Sequence, residues 1–122
     1  MPSIGEWRAR MTFAVRDVMR SMRAESDRQL AVAWRLSPRY GEVAVGGGHT
    51  DAFAVGEALA VMLDALGKGQ ALDAARDAGR DAARAIYRAW NRKREWQVHR
   101  WECAADGKLD YWYRELRAVG VR

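Results

Sequence analysis

Basic and aromatic side chains alternate over residues 84–101, where residue types and spacing are best suited to binding a ligand. The basic residues, called the basic cluster below, are Arg84, Arg88, Arg92, Lys93, Arg94 and Arg100. The aromatic residues between them are Tyr87, Trp90, Trp96 and Trp101. Guanidinium groups bind phosphates through paired hydrogen bonds, and exposed aromatic rings stack on unpaired bases. The pattern therefore predicts a surface for the phosphate backbone of nucleic acid. Trp96 and Trp101 are the candidate stacking residues, or alternatively anchors for a protein partner.

Patterns for metal binding or catalysis are weaker. The aspartates of a repeat at residues 73–84 recur every four positions, but an arginine follows each of them and would repel a cation. His99 and Cys103 have the spacing of half a zinc site, to which His49 would add a third ligand only if the fold brings it there. No spacing of serine, histidine and acidic residues matches a catalytic arrangement. We therefore predict a non-enzymatic protein with no catalytic residue, no metal site and no cofactor.

The net charge of +5 is unevenly distributed along the 122 residues. Residues 1–50 carry eight basic and five acidic side chains, residues 51–83 carry three and six, and residues 84–122 carry ten and five. A strongly basic end favours a polyanionic partner. A GC-rich genome would also produce the excess of eighteen arginines over three lysines, so composition alone does not decide between these explanations.

Length and composition indicate a single domain over residues 1–122. A chain of this size buries roughly two thirds of the surface that its unfolded form exposes. The single cysteine, Cys103, excludes an intramolecular disulfide and fits a reducing compartment. The N-terminal residues lack the apolar segment of a secretory signal. The longest apolar run, residues 58–63, is far shorter than the roughly 20 residues of a membrane span. We expect a cytoplasmic protein without membrane association.

A long amphipathic helix over residues 70–101 is the clearest structural prediction. Its apolar residues recur at spacings of three and four and are Leu72, Ala75, Gly79, Ala83, Ile86 and Trp90. The end of this helix is open, because a stop near Arg94 and a continuation to Ala104 both fit. The aspartate and arginine repeat at residues 73–84 predicts a solvated face of self-paired charges. Beside it, small residues would allow another helix to approach closely.

The first half of the chain predicts two more helices with a hairpin between them. Ser3 and Glu6 form a capping box, so the first helix begins at about residue 4. Its apolar stripe consists of Ile4, Trp7, Met11, Val15, Val18 and Met22. Strict apolar alternation over residues 30–36 predicts a strand, followed by a turn at residues 37–41 and a partner strand at residues 42–45. The alternative is that the first helix continues unbroken to Leu36.

The second helix is expected to begin at Thr50 or Asp51 and to end at residues 67–69, which are glycine-rich. It is apolar on nearly every side, which predicts that it is the central, most buried helix. After Asp106 and Gly107, apolar residues at helical spacing predict a short last helix with Gly120 as its cap. Because Asp-Gly is also a strong hairpin signal, a second hairpin joining residues 96–103 with 109–114 is the alternative.

These patterns together predict a mainly α fold, a compact bundle of three to four helices with one small β-hairpin. An α+β fold is the alternative if residues 96–114 form a second hairpin. The predicted function is that of a small basic accessory protein that binds nucleic acid through its phosphate backbone, without sequence-specific base readout. The alternative is a subunit or inhibitor that docks on a larger protein assembly through tryptophan and arginine side chains. Self-association into a homo-oligomer is a variant of that alternative.

Overall fold

The computed structural model describes the backbone of residues 4–40, 48–90 and 95–122, and the side chains of residues 12–34, 51–89 and 105–122. Four α-helices occupy these residues, and no β-strand is present among them. They are α1 (Ile4–Tyr40), α2 (Gly48–Gly67), α3 (Leu72–Trp90) and α4 (Glu95–Ala118). The prediction of a mainly helical bundle is therefore confirmed.

The predicted first strand of the hairpin is wrong, because residues 30–36 belong to α1. The buried residues on the inner side of this helix are Met22, Glu25, Ser26 and Ala33. Two of the four are polar, so the spacing of the apolar residues alone does not show the helical period of α1. The apolar alternation does not mark one face, since Val32 is 37% exposed and Trp34 is 73% exposed. Residues 37–40 are also helical rather than a turn, and the partner strand at residues 42–45 lies outside the described residues.

Helix α2 lies at the centre of the bundle and contacts α1, α3 and α4. Its most deeply buried apolar residues are Ala54, Ala58, Leu59 and Met62. A helix that is apolar on nearly every side must be covered on nearly every side, so the other three helices pack around it. The prediction that the second helix is the central one is confirmed. The helix begins at Gly48, two residues before the earlier of the two expected caps.

Small residues allow two helices to approach α2 closely. A Cβ atom added to Gly79 of α3 would lie 2.7 Å from the carbonyl oxygen of Ala58 in α2. A Cβ atom added to Gly56 of α2 would lie 2.7 Å from Cγ of Leu30 in α1. The buried stripe of α3 contains Leu72, Ala75, Gly79 and Ala83, as the sequence predicts. The row of small residues beside the repeat thus serves the helix packing expected of it.

Two glycines with positive φ angles end their helices. Gly69 follows α2 with a φ of 84°, and the next amide, that of Gln70, donates a 3.0 Å hydrogen bond to the carbonyl of Ala65. Gly120 follows α4 with a φ of 95°, and the amide of Val121 donates to the carbonyl of Leu116 at 3.0 Å. Both arrangements satisfy carbonyl groups that a helix end leaves without partners. The predicted cap at Gly120 is confirmed.

Helix α4 corrects the predictions for the C-terminal third. It runs over 24 residues and passes through Asp106 and Gly107, so the last helix is not short and the alternative hairpin at residues 96–114 is wrong. Its buried residues are Ala105, Leu109, Trp112 and Leu116. Because these recur at helical spacing on both sides of Gly107, packing against the core overrides the local turn preference of the Asp-Gly pair. Helix α3 ends at Trp90, and residues 91–94 lie outside the described residues.

Hydrogen bonds of α1 hold it against α4 and α2. The carboxylate of Glu25, a buried residue, accepts a 2.9 Å hydrogen bond from Nε1 of Trp112. It also lies 2.9 Å from Nζ of Lys108. The neighbouring hydroxyl of Ser26 donates to the carbonyl of Gly56 at 2.8 Å. These partners explain how α1 can bury two polar residues in its inner side, since buried polar groups need partners.

We expect Gly79→Ala to lower the free energy of unfolding by about 1–3 kcal/mol, because the new methyl group would overlap the backbone of α2. Gly107→Ala is the matched control within a helix, since no atom lies within 4 Å of its added Cβ. Helix propensity alone should make Gly107→Ala stabilising by about 0.5–1 kcal/mol. Urea unfolding followed by circular dichroism measures both variants. Equal changes in the two would contradict the close approach of α3 to α2.

Candidate nucleic-acid interface

The basic cluster begins on the last two turns of α3. Arg84 is half-buried there and Arg88 is exposed. Because they are four residues apart on one helix, the two side chains lie on the same face. The cluster residues and tryptophans that lie outside the described side chains are Arg92, Lys93, Arg94, Trp96, Arg100 and Trp101. The structure therefore places two residues of the predicted site, Arg84 and Arg88, next to each other. The positions of the remaining site residues stay a prediction.

Tyr87 is not available as a stacking residue. The sequence places it between two arginines, but its side chain is completely buried in the core. Its hydroxyl donates a 2.8 Å hydrogen bond to the carboxylate of Asp51 near the start of α2. Tyr87 therefore adds no exposed ring to the interface, because its side chain is part of the core and bonds to α2.

Arg80 of the repeat is the centre of an ion-pair network between α3 and α4. Its Nε donates a 3.0 Å hydrogen bond to Asp106, and its terminal nitrogens lie 4.0 Å from Asp110 and 3.7 Å from Asp77. The hydrogen bond to Asp106 raises the pKa of Arg80 above its ordinary value, partial burial opposes this, and the surrounding carboxylates add to it. A raised arginine pKa contributes stability below the unfolded-state value, and this contribution is lost only as the pH rises into strong alkali.

Arg76 joins the same network one turn earlier in α3. It lies 3.6 Å from Asp110 and places its guanidinium 4.0 Å from the centre of the Tyr113 ring, a cation–π contact. The Tyr113 hydroxyl donates to Asp73 at 2.6 Å and accepts from Arg117 at 3.1 Å. The guanidinium groups of Arg76 and Arg80 are thus held between α3 and α4.

The predicted self-pairing of the repeat is correct only in part. Within the repeat Arg80 lies 3.7 Å from Asp77, whereas the shorter contacts of Arg80 and Arg76 reach across to Asp106 and Asp110 of α4. The arginines Arg76 and Arg80 are therefore part of a helix–helix contact, while the aspartates of the repeat, Asp73, Asp77 and Asp81, are exposed to solvent. The sequence contains a signal for this pairing, because both the two arginines and the two aspartates of α4 are spaced by four residues.

An exposed aromatic residue between two basic ones lies on α4, and the sequence analysis missed it. Tyr111 is 46% exposed, and together with Lys108 and Arg114 it lines an open groove along the outer side of the helix. The three residues are spaced by three positions, which is the signal that would have found them. The apolar residues of this segment define the opposite, buried side of the helix.

The cleft between the start of α3 and the end of α4 is too small for a typical organic ligand. Its volume is about 180 Å³, against roughly 300–1,000 Å³ for ligand pockets in general. Its walls include Asp73, Tyr113 and Arg117, whose polar groups already bond to one another. We assign no ligand to this cleft.

Neither a metal-binding group nor a membrane span is found in the part of the chain that the structure describes. No set of three histidine, cysteine or acidic side chains within it converges on a point where an ion would sit. The side chains of His49, His99 and Cys103 lie outside the described ones, so the weak zinc pattern has no structural test. None of the described helices is both long and apolar enough to cross a bilayer.

Comparison with known proteins adds no family to this description. No protein-family model, curated protein or solved structure matches the chain. The interpretation of function is accordingly built on the charges and contacts described above.

We expect Arg80→Met to lower the free energy of unfolding by about 1–3 kcal/mol, because it removes a charge-assisted hydrogen bond and leaves two carboxylates of α4 near each other. Lys68→Met is the control. It removes a 2.9 Å ion pair with Asp64 in which both side chains are about two thirds exposed. Such a pair contributes at most about 1 kcal/mol. Thermal unfolding at several salt concentrations compares the two variants. Similar losses of stability in both would show that the α3–α4 network contributes no more than an exposed ion pair.

Proposed function

We propose that this protein is a non-enzymatic accessory protein that binds the phosphate backbone of nucleic acid through the basic cluster. The supporting observation is that acidic side chains of the C-terminal third are paired with arginines from outside it. Residues 84–122 contain ten basic and five acidic side chains, and two of the five acids, Asp106 and Asp110, are paired with Arg76 and Arg80 from outside this segment. These two carboxylates are thus engaged by arginines from outside the segment, as Lys108 is engaged by Glu25 of α1, and basic side chains remain in excess over acidic ones within residues 84–122.

Spacing on α3 supports contact with a backbone rather than with bases. Arg84 and Arg88 begin a row at four-residue intervals that Arg92 continues in the sequence. Neighbours at this spacing have Cβ atoms about 5–6 Å apart, which suits a run of neutralised phosphates. No reading motif accompanies the row, so the proposal includes no sequence specificity. Trp96 and Trp101 are the proposed stacking residues, and Tyr111 between Lys108 and Arg114 is a further aromatic surface for an unpaired base.

Docking on a larger protein assembly, with Trp96 and Trp101 as anchors, is the alternative function. Backbone binding releases counterions, so its affinity falls linearly with salt on logarithmic axes, with a slope of about −0.7 to −0.9 per phosphate contact. Docking through aromatic anchors depends far less on salt. The proposal also includes a cytoplasmic location, which suits a chain whose single cysteine is Cys103.

Reversing two charges of the basic cluster tests the proposal. We expect Arg88→Glu with Arg92→Glu to abolish binding to single- and double-stranded oligonucleotides, because attraction becomes repulsion at neighbouring phosphate contacts. Arg16→Glu with Arg28→Glu makes the same change in net charge on the exposed side of α1, a helix that does not contact α3 within the described residues. Fluorescence anisotropy titrations at several salt concentrations give affinity and slope for each protein.

Two results would reject nucleic-acid binding through this site. In one, the variant at residues 88 and 92 binds oligonucleotides as the unmodified protein does. In the other, the control variant loses as much affinity, which would show that the loss of binding depends only on the net charge of the protein.

Trp101→Ala tests the alternative. If docking on a protein assembly is the function, this substitution should remove a co-purifying partner while leaving the salt slope for oligonucleotides unchanged, because truncating an aromatic anchor removes contact area but no charge. Affinity purification at low and high salt, followed by mass spectrometry, measures retention of the partner. Full retention in the Trp101→Ala variant would count against tryptophan-mediated docking.

A further inference from the structure

The outward side of α1 carries two large aromatic side chains that the rest of the bundle leaves uncovered. Phe13 is 64% exposed and Trp34 is 73% exposed, the two highest values among the large apolar residues described. Within the described residues α1 packs on α2 and α4 with its opposite side. Two separate exposed side chains do not by themselves mark an interaction surface, so the residues between them decide whether this face of α1 is one.

The exposed residues between these aromatic side chains form a continuous stripe. The outer stripe of α1 consists of Phe13, Asp17, Arg20, Ala24, Asp27, Ala31 and Trp34, all of them exposed. Successive members are four and three residues apart, the spacing that keeps side chains on one side of a helix and recurs in helix pairs. At 1.5 Å per residue the stripe is about 32 Å long.

Read in the reverse direction, the outer stripe is complementary to itself. If a second copy is turned end for end about an axis next to Ala24, between residues 23 and 24, Phe13 meets the partner's Trp34, Arg20 meets the partner's Asp27 and Asp17 meets the partner's Ala31. By the two-fold symmetry each of these contacts occurs twice. Ala24 lies next to the axis, where its small side chain lets two helices approach closely.

We propose that two copies of this chain form an antiparallel dimer through the outer stripe of α1. Charge complementarity identifies a second copy of the chain as the partner that binds the outer stripe. Neither Arg20 nor Asp27 has an ion-pair partner among the described residues, and the antiparallel arrangement supplies one of opposite sign to each. The aromatic residues at both ends would then cover each other.

The mixture of charges in the stripe favours a second copy over nucleic acid. Its charged members are two aspartates and one arginine, and a polyanion would be repelled by both aspartates. Arg16, Arg23 and Arg28 lie beside the stripe, at the edge of such an interface, where they remain in water. The dimer is independent of the proposed function, because it uses none of the residues of the basic cluster.

One helix pair of this length gives an interface at the lower end of the range for specific complexes, so the dimer should dissociate on dilution. The unmodified full chain should move from a mass of 13.8 kDa toward twice that value as its concentration is raised. Sedimentation velocity in buffer without nucleic acid measures this shift.

Charge reversal tests the pairing itself. Arg20→Asp alone sets acid against acid, and Asp27→Arg alone sets base against base, so each variant should remain at the monomer mass where the unmodified protein is dimeric. An equimolar mixture of the two variants should recover the dimer mass, because each acidic side chain of one variant then faces a basic side chain of the other. Circular dichroism confirms that both variants remain folded, as expected for substitutions at exposed positions.

The mixing experiment has outcomes that would overturn the dimer. These are an unmodified protein that stays monomeric at every concentration, single variants that keep the dimer mass, or a mixture that stays monomeric. If the unmodified protein dimerises and neither variant changes it, another surface is responsible and the inference about α1 is wrong.

Disulfide formation tests the position of the symmetry axis. In a Cys103→Ser background, Ala24→Cys should be linked between subunits by mild oxidation, because two copies of residue 24 face each other there. Ala118→Cys, at an exposed position of α4, is the matched control and should stay largely unlinked at the same concentration. Equal yields of linked dimer from the two positions would overturn the proposed alignment.

Discussion

Burial of α2 is the constraint on which the arrangement of the other helices depends. Because α2 offers almost no polar side to water, the hydrophobic effect brings α1, α3 and α4 onto it. Gly56 and Gly79 determine how near α1 and α3 can come, since any side chain at either position would meet an atom of the neighbouring helix. The described parts of α1 and α3 occupy different sides of α2 and do not touch. Surfaces on these two helices are therefore separate surfaces of the molecule.

The arginines of α3 have different roles, and the residues around each arginine determine its role. Arg76 and Arg80 follow aspartates in the same repeat that leads to Arg84, yet they lie opposite the aspartates of α4 and are used to hold two helices together. Arg88 lies beyond this contact and is exposed. A row of arginines in a sequence is thus divided by the positions of its partners in space.

Local patterns could be predicted from the sequence, and long-range partners could not. The buried stripe of α3, the apolar character of α2 and the cap at Gly120 each follow from residues that are close together in the sequence. The apolar alternation of residues 30–36 predicts a hairpin, and the polar residues Glu25 and Ser26 interrupt the helical spacing of α1 just before it. Their burial is possible only through Trp112 and Gly56, which are distant in the sequence.

The same limit applies to the candidate site. Arg84 and Arg88 could be identified from spacing alone. The burial of Tyr87 depends on Asp51, 36 residues away, and no property of residues 84–101 reveals it. The Asp-Gly pair at residues 106 and 107 is a further case, since its turn preference is overridden by core contacts that lie on both sides of it.

The bond between Glu25 and Trp112 joins residues 87 positions apart and has a consequence for how the bundle loses its structure. With α1 held to α4, each of the three helices around α2 contacts α2 and at least one other helix, since α4 contacts both α1 and α3. A linear helical array can fray from its terminal unit inward. No helix is a terminal unit of this arrangement, so detaching any one of them exposes apolar surface on at least two neighbours at once, which favours all-or-none melting.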